Sequence, residues 1–251
     1  MRNTTDPLIS FLCPAYRCER YLDKMVWSVL RQTYNRWELC LVDDGSDDHQ
    51  WSKAEHWAGI DPRIRILQAP HEGYALAYNR AMAMATGDIF ARIDADDIIH
   101  PERLECQLRE LVSAGADICT CVLLRVRTDG TPMHERCTEM IPWRYITRRT
   151  PTGPGSATIM AWRDVYDRVG GFDPKYEWSA DSDWNFRALA CDGPPLRWCH
   201  CPQVLYFYRD HPGQMMKIGR DRSLEVHLDR QRFYFRIIRE RLHRESRNRR
   251  A

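Results

Sequence analysis

Ile89-Phe90-Ala91-Arg92-Ile93-Asp94-Ala95-Asp96-Asp97 is a largely apolar run of strand type that ends abruptly in three carboxylates. An isolated charge taken out of water costs several kcal/mol or more, so this run predicts a strand whose end opens onto solvent, a cation or a ligand. The residues before it repeat one pattern. Leu8 to Cys13 is a short apolar run closed by Pro14, which removes a ladder donor and predicts the end of a buried strand. Leu22, Met25, Val26, Val29 and Leu30 fall three and four apart and predict an amphipathic helix over 19–33. Trp37 to Val42 is a second strand, ending in Asp43-Asp44-Gly45-Ser46-Asp47-Asp48. A helix over 48–59, a strand over 64–67 and an alanine-rich helix from Gly73 to Ala85 lead back to the carboxylate-tipped strand. Strand, helix and strand in this order imply right-handed parallel crossovers, hence an α/β fold with a mostly parallel central sheet flanked by helices. Ligands of such sheets gather beyond the carboxyl ends of the strands, where Tyr16, Asp43, Asp44, Asp94, Asp96 and Asp97 all lie.

Downstream, Pro101 to Gly115 reads as a helix and Ile118 to Arg127 as a long strand. Residues 128–132 form a turn, and 133–156 show no period; a loop this long inside a domain is usually functional and is placed over an acceptor pocket. A strand over 157–161, a helix over 162–169, a tight turn at Gly170 to Pro174, a helix opening near Ala180-Asp181-Ser182-Asp183 and a strand over 202–209 complete the body. From Asp221 onward Leu224, Leu228, Phe235, Ile238 and Leu242 predict a C-terminal amphipathic helix.

The chain has 251 residues and a formal net charge of +2. Residues 217–251 hold twelve Lys/Arg and five Asp/Glu, a balance of +7, so residues 1–216 carry −5. A basic tail on a mildly acidic body suits an anionic surface such as a phospholipid headgroup, or is a solvated helix face. The expected layout is a main domain over 1–216, with a first half to about residue 100 and a second half after it, then a basic helical tail over 217–251. No stretch reaches the roughly 18 apolar residues that span a bilayer, and the start lacks a secretion signal, so a cytoplasmic location is expected. In that setting the ten cysteines stay reduced. Cys191, Cys199, His200 and Cys201 form one cluster with zinc-ligand chemistry, although alternation on a strand sends the imidazole away from the two sulfurs.

Taken together, several segments resemble the family-two glycosyltransferases, inverting enzymes with the GT-A fold that use nucleotide-sugar donors. The resemblance is carried by Pro14-Ala15-Tyr16, Ser28 with Gln32-Thr33, Val42-Asp43-Asp44-Gly45-Ser46, Gly73 to Asn79, Thr86-Gly87-Asp88 leading into Asp94-Ala95-Asp96-Asp97, Gly170-Gly171-Phe172-Asp173, and Tyr208-Arg209 with His211. It spans roughly residues 7–215, and its order and spacing are more specific than any one motif.

The resemblance implies a donor site of Pro14, Ala15, Tyr16, Asp43, Asp44, Asp94 and Ala95, with Tyr16 stacking on a pyrimidine and Asp44 accepting from its ring N–H. It implies a Mg or Mn ion held by Asp96, with Asp94 contacting the ribose or the ion and His211 completing the metal shell or touching the diphosphate. Such an ion suits the chemistry, because leaving diphosphate gains negative charge and hard cations prefer oxygen ligands. For transfer with inversion, one carboxylate takes the proton of the acceptor hydroxyl. Aligning on Arg187 puts that base at Asp181, with Asp183 as the alternative and Ala180 where the family usually has Glu. Tyr78 likewise stands where Arg is common, and Gln214 and Met216 where serines are common.

The expected activity is therefore a metal-dependent hexosyl transfer from a nucleotide sugar, UDP-linked by first choice, to a saccharide or lipid-linked acceptor in cell-envelope polysaccharide synthesis. Its expected contacts include a peripheral membrane surface met through the tail, and no nucleic acid. The alternative is a catalytically impaired relative that binds nucleotide sugars as a partner protein. A sugar nucleotidyltransferase would need a glycine-rich basic signature after the first strand, and a nicotinamide-dependent dehydrogenase a GxGxxG; Cys13-Pro14-Ala15-Tyr16-Arg17 supplies neither.

Overall fold

The computed structural model describes Arg2, residues 4–137 and residues 156–215; of the loop expected over 133–156, residues 138–155 lie outside the described residues, as does the tail over 217–251. The first half alternates as its sequence requires: β1 (Ile9–Ala15), α1 (Glu19–Leu30), β2 (Trp37–Asp44), α2 (Gln50–Ile60), β3 (Ile64–Ala69), α3 (Tyr74–Met84) and β4 (Ile89–Arg92). Next come β5 (Ile98–Ile99), α4 (Arg103–Ser113), β6 (Ile118–Arg127), β7 (Pro132–Cys137), β8 (Met160–Trp162), α5 (Arg163–Val169), α6 (Ala180–Ala190) and β9 (Trp198–Asp210).

One sheet holds all nine strands in the order β3-β2-β1-β4-β8-β6-β9-β5, with β7 on β6. The long ladders, β1 with β2 and β4, β2 with β3, and β6 with β9, are parallel. The antiparallel ladders, through β5, β7 and β8, pair only two or three residues each. β1 and β2 are buried along their whole length, because helices cover both faces of the sheet. The predicted stripe of α1 is the one that faces the core: Leu22, Met25, Val26 and Val29 are all buried.

Three local expectations are corrected. β1 does not stop before Pro14 but pairs with β2 through Pro14↔Val42 and Ala15↔Asp43. The Ile9 N–H points to the β2 side, where it donates to Arg36 O, so alternation turns residue 14 toward β4, whose ladder with β1 has ended at Leu12↔Arg92. The missing N–H of the proline is therefore on the β4 side and leaves the β1–β2 ladder intact. Second, the stretch read as aperiodic from residue 133 starts with β7, an edge strand that returns along β6 after the turn at Gly130. Its Pro-Met-His-Glu-Arg-Cys sequence carries no apolar alternation, so hydrophobic period could not reveal it. Third, the strand expected over 157–161 is a 3-10 turn at Ser156–Thr158 followed by β8.

Candidate active site

The acid loop after β4 is held by β9. The Asp94 N–H donates to Tyr206 Oη at 3.1 Å, and Tyr206 Oη donates to Asp97 Oδ2 at 2.8 Å, while the Arg209 N–H donates to Asp97 Oδ1 at 2.8 Å. Asp97 is therefore fully buried, and the expectation that all three acids face outward is corrected for it. Two donors replace the water it lost, which is the condition for burying a carboxylate. Burial, followed by the charges of Asp96 and Asp94, pushes its carboxyl well above the usual aspartate range.

With β9 anchored in this way, His211 arrives two residues beyond Arg209 and meets Asp96. His211 Nε2 and Asp96 Oδ2 are 2.8 Å apart, the imidazole is buried, and the Asp96 side chain is 19% exposed. The ring packs against Tyr21 of α1 at 4.4 Å, and Gln214 fixes the turn by accepting from the His211 N–H and donating to Arg209 O. Among the described residues, no group of three or more His, Cys, Asp or Glu side chains is arranged to hold an ion unaided. A Mg-type ion usually takes only one or two protein carboxylates, with phosphates and waters filling the rest of its shell. Adjacent ligands of an octahedral ion with bonds of about 2.1 Å stand about 3 Å apart, so the Asp96–His211 pair fits two neighbouring positions.

Asp94 and Asp181 face the same region. One Asp94 oxygen, Oδ1, is buried without a hydrogen-bond partner. Burial, then the charges of Asp96 and Asp181, raise the Asp94 pKa to about 7, so the three carboxylates lie close enough to repel. Asp181 is half-buried in the first turn of α6 and accepts from the adjacent Ser182 N–H. Asp183 is buried and accepts from Arg187 Nε at 2.9 Å; Arg187 also donates to the carbonyls of Val169 and Gly171. Of the two candidate bases, Asp181 faces the acid cluster and Asp183 braces the turn that leads into α6. Asp181 thus accepts from one of the free N–H groups in the first turn of α6, whereas the N-cap residue Ser179 makes no side-chain cap bond.

The residues expected at the nucleotide end lie at and beyond the ends of β1, β2 and β4. Pro14, Ala15 and Ala95 are buried, so they offer backbone rather than side chain. Asp43 is fully buried, with Oδ1 accepting from Gln50 Nε2 at 2.5 Å. Asp44 organises the loop before α3: it accepts from Glu72 N and Gly73 N, both at 3.0 Å, and lies 2.8 Å from His71 Nδ1. Tyr16 is half-buried and stacks on His71 at 4.0 Å, with the Arg17 guanidinium 5.1 Å from its ring centre.

Three residues of this region were not singled out for a site role from sequence: Tyr206, Arg209 and His71. Arg209 is buried, lies over the Tyr21 ring at 5.0 Å, and has no hydrogen-bond partner among the described residues for any side-chain nitrogen. Burial lowers its pKa, against the pull of Asp97 and Asp96. Its place in the Tyr208-Arg209 motif was the available signal. The zinc reading of the cysteine cluster is corrected: Cys199 and Cys201 stand opposite Cys119 and Cys121 in the β6–β9 ladder, and His200 Nδ1 pairs with Thr120 Oγ1 at 2.9 Å. An open cleft on the outer face of α1 and α2, beside Trp27 and Trp57, contains none of the acid cluster.

Fold and site together define an α/β layer with an acid cluster at the strand ends. Solved structures share that fold: the mannosyltransferase PcManGT from Pyrobaculum calidifontis in complex with GDP-Man and Mn2+, with TM-score 0.68 and 20% identity over 92% of this chain and 66% of that one, and S. aureus TarS 1-349 in complex with UDP-GlcNAc, with TM-score 0.67 and 18% identity over 83% and 60%. The architecture is of the GT-A type. A model of glycosyl transferase family 2 matches residues 10–169, and the chain belongs to that family. The chondroitin synthase of Pasteurella multocida (strain Pm70) is 32% identical over 184 residues, covering 70% of this chain but only 18% of that protein. The chain thus spans under a fifth of that relative's length. No helix among the described residues is long and apolar enough to cross a membrane.

Proposed function

We propose that the chain transfers a sugar, with inversion, from a nucleotide-sugar donor to a saccharide or lipid-linked acceptor in polysaccharide synthesis. The observation that carries the proposal is the Asp96–His211 pair at 2.8 Å beside Asp94 and Asp181. Bound UDP-GlcNAc and GDP-Man in the two structural neighbours support a nucleotide-sugar donor. Mn2+ in one of them supports a divalent cation.

In this reading Asp96 and His211 hold a Mg or Mn ion, which supplies charge stabilisation to the departing diphosphate. Arg209, whose guanidinium has no hydrogen-bond partner among the described residues, lies beside that pair and meets the same negative charge. Tyr16 and Asp44 orient the base, UDP being the first choice, and Asp94 reaches the ribose or the ion. Asp181 takes the acceptor proton, and Asp183 keeps the start of α6 in place through Arg187. The location that follows is the cytoplasmic side, with the basic tail meeting an anionic membrane that carries the acceptor.

The test is a thermal-shift panel of UDP- and GDP-sugars with and without manganese. A ligand at 100 times its Kd adds about 2.7 kcal/mol of stability, which for a chain of this size is a rise of about 5 to 10 °C in Tm. A manganese-dependent shift for one donor, abolished in Asp96→Ala, is the expected result. If no donor shifts the wild type with the metal present, the proposal is wrong. A shift in a chain that neither transfers nor hydrolyses the donor, with Asp181→Asn no different, would instead identify a binding-only relative.

A further inference from the structure

His71 stands where a flat base would stand. Its imidazole lies over Tyr16 at a centroid distance of 4.0 Å and an interplanar angle of 11°. Its Nδ1 is 2.8 Å from Asp44 Oδ2 and 3.0 Å from the Asp44 carbonyl oxygen. Both neighbours are acceptors, so Nδ1 carries the proton and donates. A planar ring stacked on Tyr16 that gives a ring N–H to Asp44 makes the same two contacts that the proposed donor site assigns to a pyrimidine.

Resting on that donor-site reading, we propose that His71 is a built-in surrogate for the base. It fills the slot in the free protein, the nucleobase enters by displacing it, and residue 71 thereby sets how tightly the donor binds. The local backbone is built for such an exchange. Gly45, at φ +68°, lets the His71 backbone approach so closely that a Cβ on residue 45 would lie 2.6 Å from His71 N. Glu72 N and Gly73 N are tied to the Asp44 carboxylate. The main chain at 71–73 is therefore fixed, while the His71 side chain is 49% exposed and has a way out into solvent by rotation about its own bonds. Arg17, the other group over Tyr16, does not compete for Asp44, because its guanidinium is held by both oxygens of Asp47.

Displacement replaces one ring stack and one hydrogen bond by equivalents, so the base adds little net affinity in the wild type. Only a base with a ring N–H can replace the lost donor; a ring nitrogen with a lone pair there would face a carboxylate.

The test is calorimetric titration of the full chain with UDP and with GDP in manganese buffer, for wild type, His71→Ala, His71→Phe and Tyr16→Ala. His71→Ala should bind UDP roughly tenfold tighter, since neither the stack nor the hydrogen bond has to be given up. His71→Phe, which keeps a ring but cannot donate, should fall between wild type and His71→Ala. In the unmodified protein, the His71 Hε1 resonance should carry a ring-current shift that disappears on UDP addition and in Tyr16→Ala. If His71→Ala binds UDP with equal or lower affinity, or the resonance does not move with UDP, the surrogate role is overturned while the donor site stands. A wild type that binds GDP alone brings down the pyrimidine assignment, since guanine also carries a ring N–H, and one that binds neither nucleotide brings down the surrogate as well.

Discussion

Asp96 and Asp97 are adjacent and chemically identical, and burial divides their work. Asp96 keeps part of its side chain in solvent and faces His211, whereas Asp97 is enclosed and answered by Tyr206 Oη and Arg209 N. Asp96→Ala should lower transfer by about 10²–10³-fold, the scale of losing one transition-state charge stabiliser, with a change in Tm no larger than an ordinary surface substitution gives. Asp97→Asn should do the reverse in emphasis. Its amide turns a donor toward one of two donors, which costs about 1–3 kcal/mol and lowers Tm by several degrees; chemical denaturation of both variants separates the two effects. Glu38 gives a pH prediction. Burial alone would raise its pKa, but hydrogen bonds from Ser10, Thr86 and Arg65 outweigh burial and hold it below the usual value. A carboxyl depressed by folding stabilises above its unfolded value, about 4.3, and that contribution is lost as pH falls through the lower folded value. The gap in stability between wild type and Glu38→Gln should therefore be full at pH 6 and close in acid; a gap unchanged down to about pH 2 would refute it.

At the scale of elements, one asparagine joins α3 to the turn before α6. Asn79 Nδ2 donates to Phe172 O at 2.8 Å, and Phe172 N donates to Asn79 Oδ1 at 2.7 Å. Gly171 is required beside this clamp, because a Cβ there would collide with Asn79 Oδ1. The Phe172 ring then stacks on Tyr78 at 4.6 Å, and Trp184 of α6 donates its ring N–H to Gly170 O. Asn79→Ala strands two main-chain groups, so it should cost about 1–3 kcal/mol and also lower transfer, since Asp181 sits at the start of the helix that the clamp positions. Gly171→Ala should be worse on both counts. Normal transfer by a destabilised Asn79→Ala would show that α6 is placed by other contacts.

For the whole molecule, the prediction is electrostatic. Residues 1–216 carry −5 and residues 217–251 carry +7, so the two parts respond in opposite senses to an anionic surface. The full chain should float with vesicles containing anionic lipid at low salt, dissociate as salt screens the charges, and lose binding when residues 221–251 are removed. Binding that survives the truncation would move the contact to the body.

The sequence alone was enough for the α/β alternation, the parallel crossovers and the gathering of Tyr16, Asp43, Asp44, Asp94, Asp96 and Asp97 at one end of the sheet, since hydrophobic period and motif order are local properties of the chain. It could not reveal that Pro14 stays inside β1, because that depends on which neighbour a missing N–H faces. Nor could it separate Asp97 from Asp96, because the partners of Asp97 lie more than 100 positions away in β9. Tertiary structure alone placed His71 on Tyr16, laid the Arg209 guanidinium over Tyr21 with no hydrogen bond to it among the described residues, and turned Asp183 inward to Arg187. Each of these depends on what a side chain meets across the fold, and residue type and spacing do not encode that.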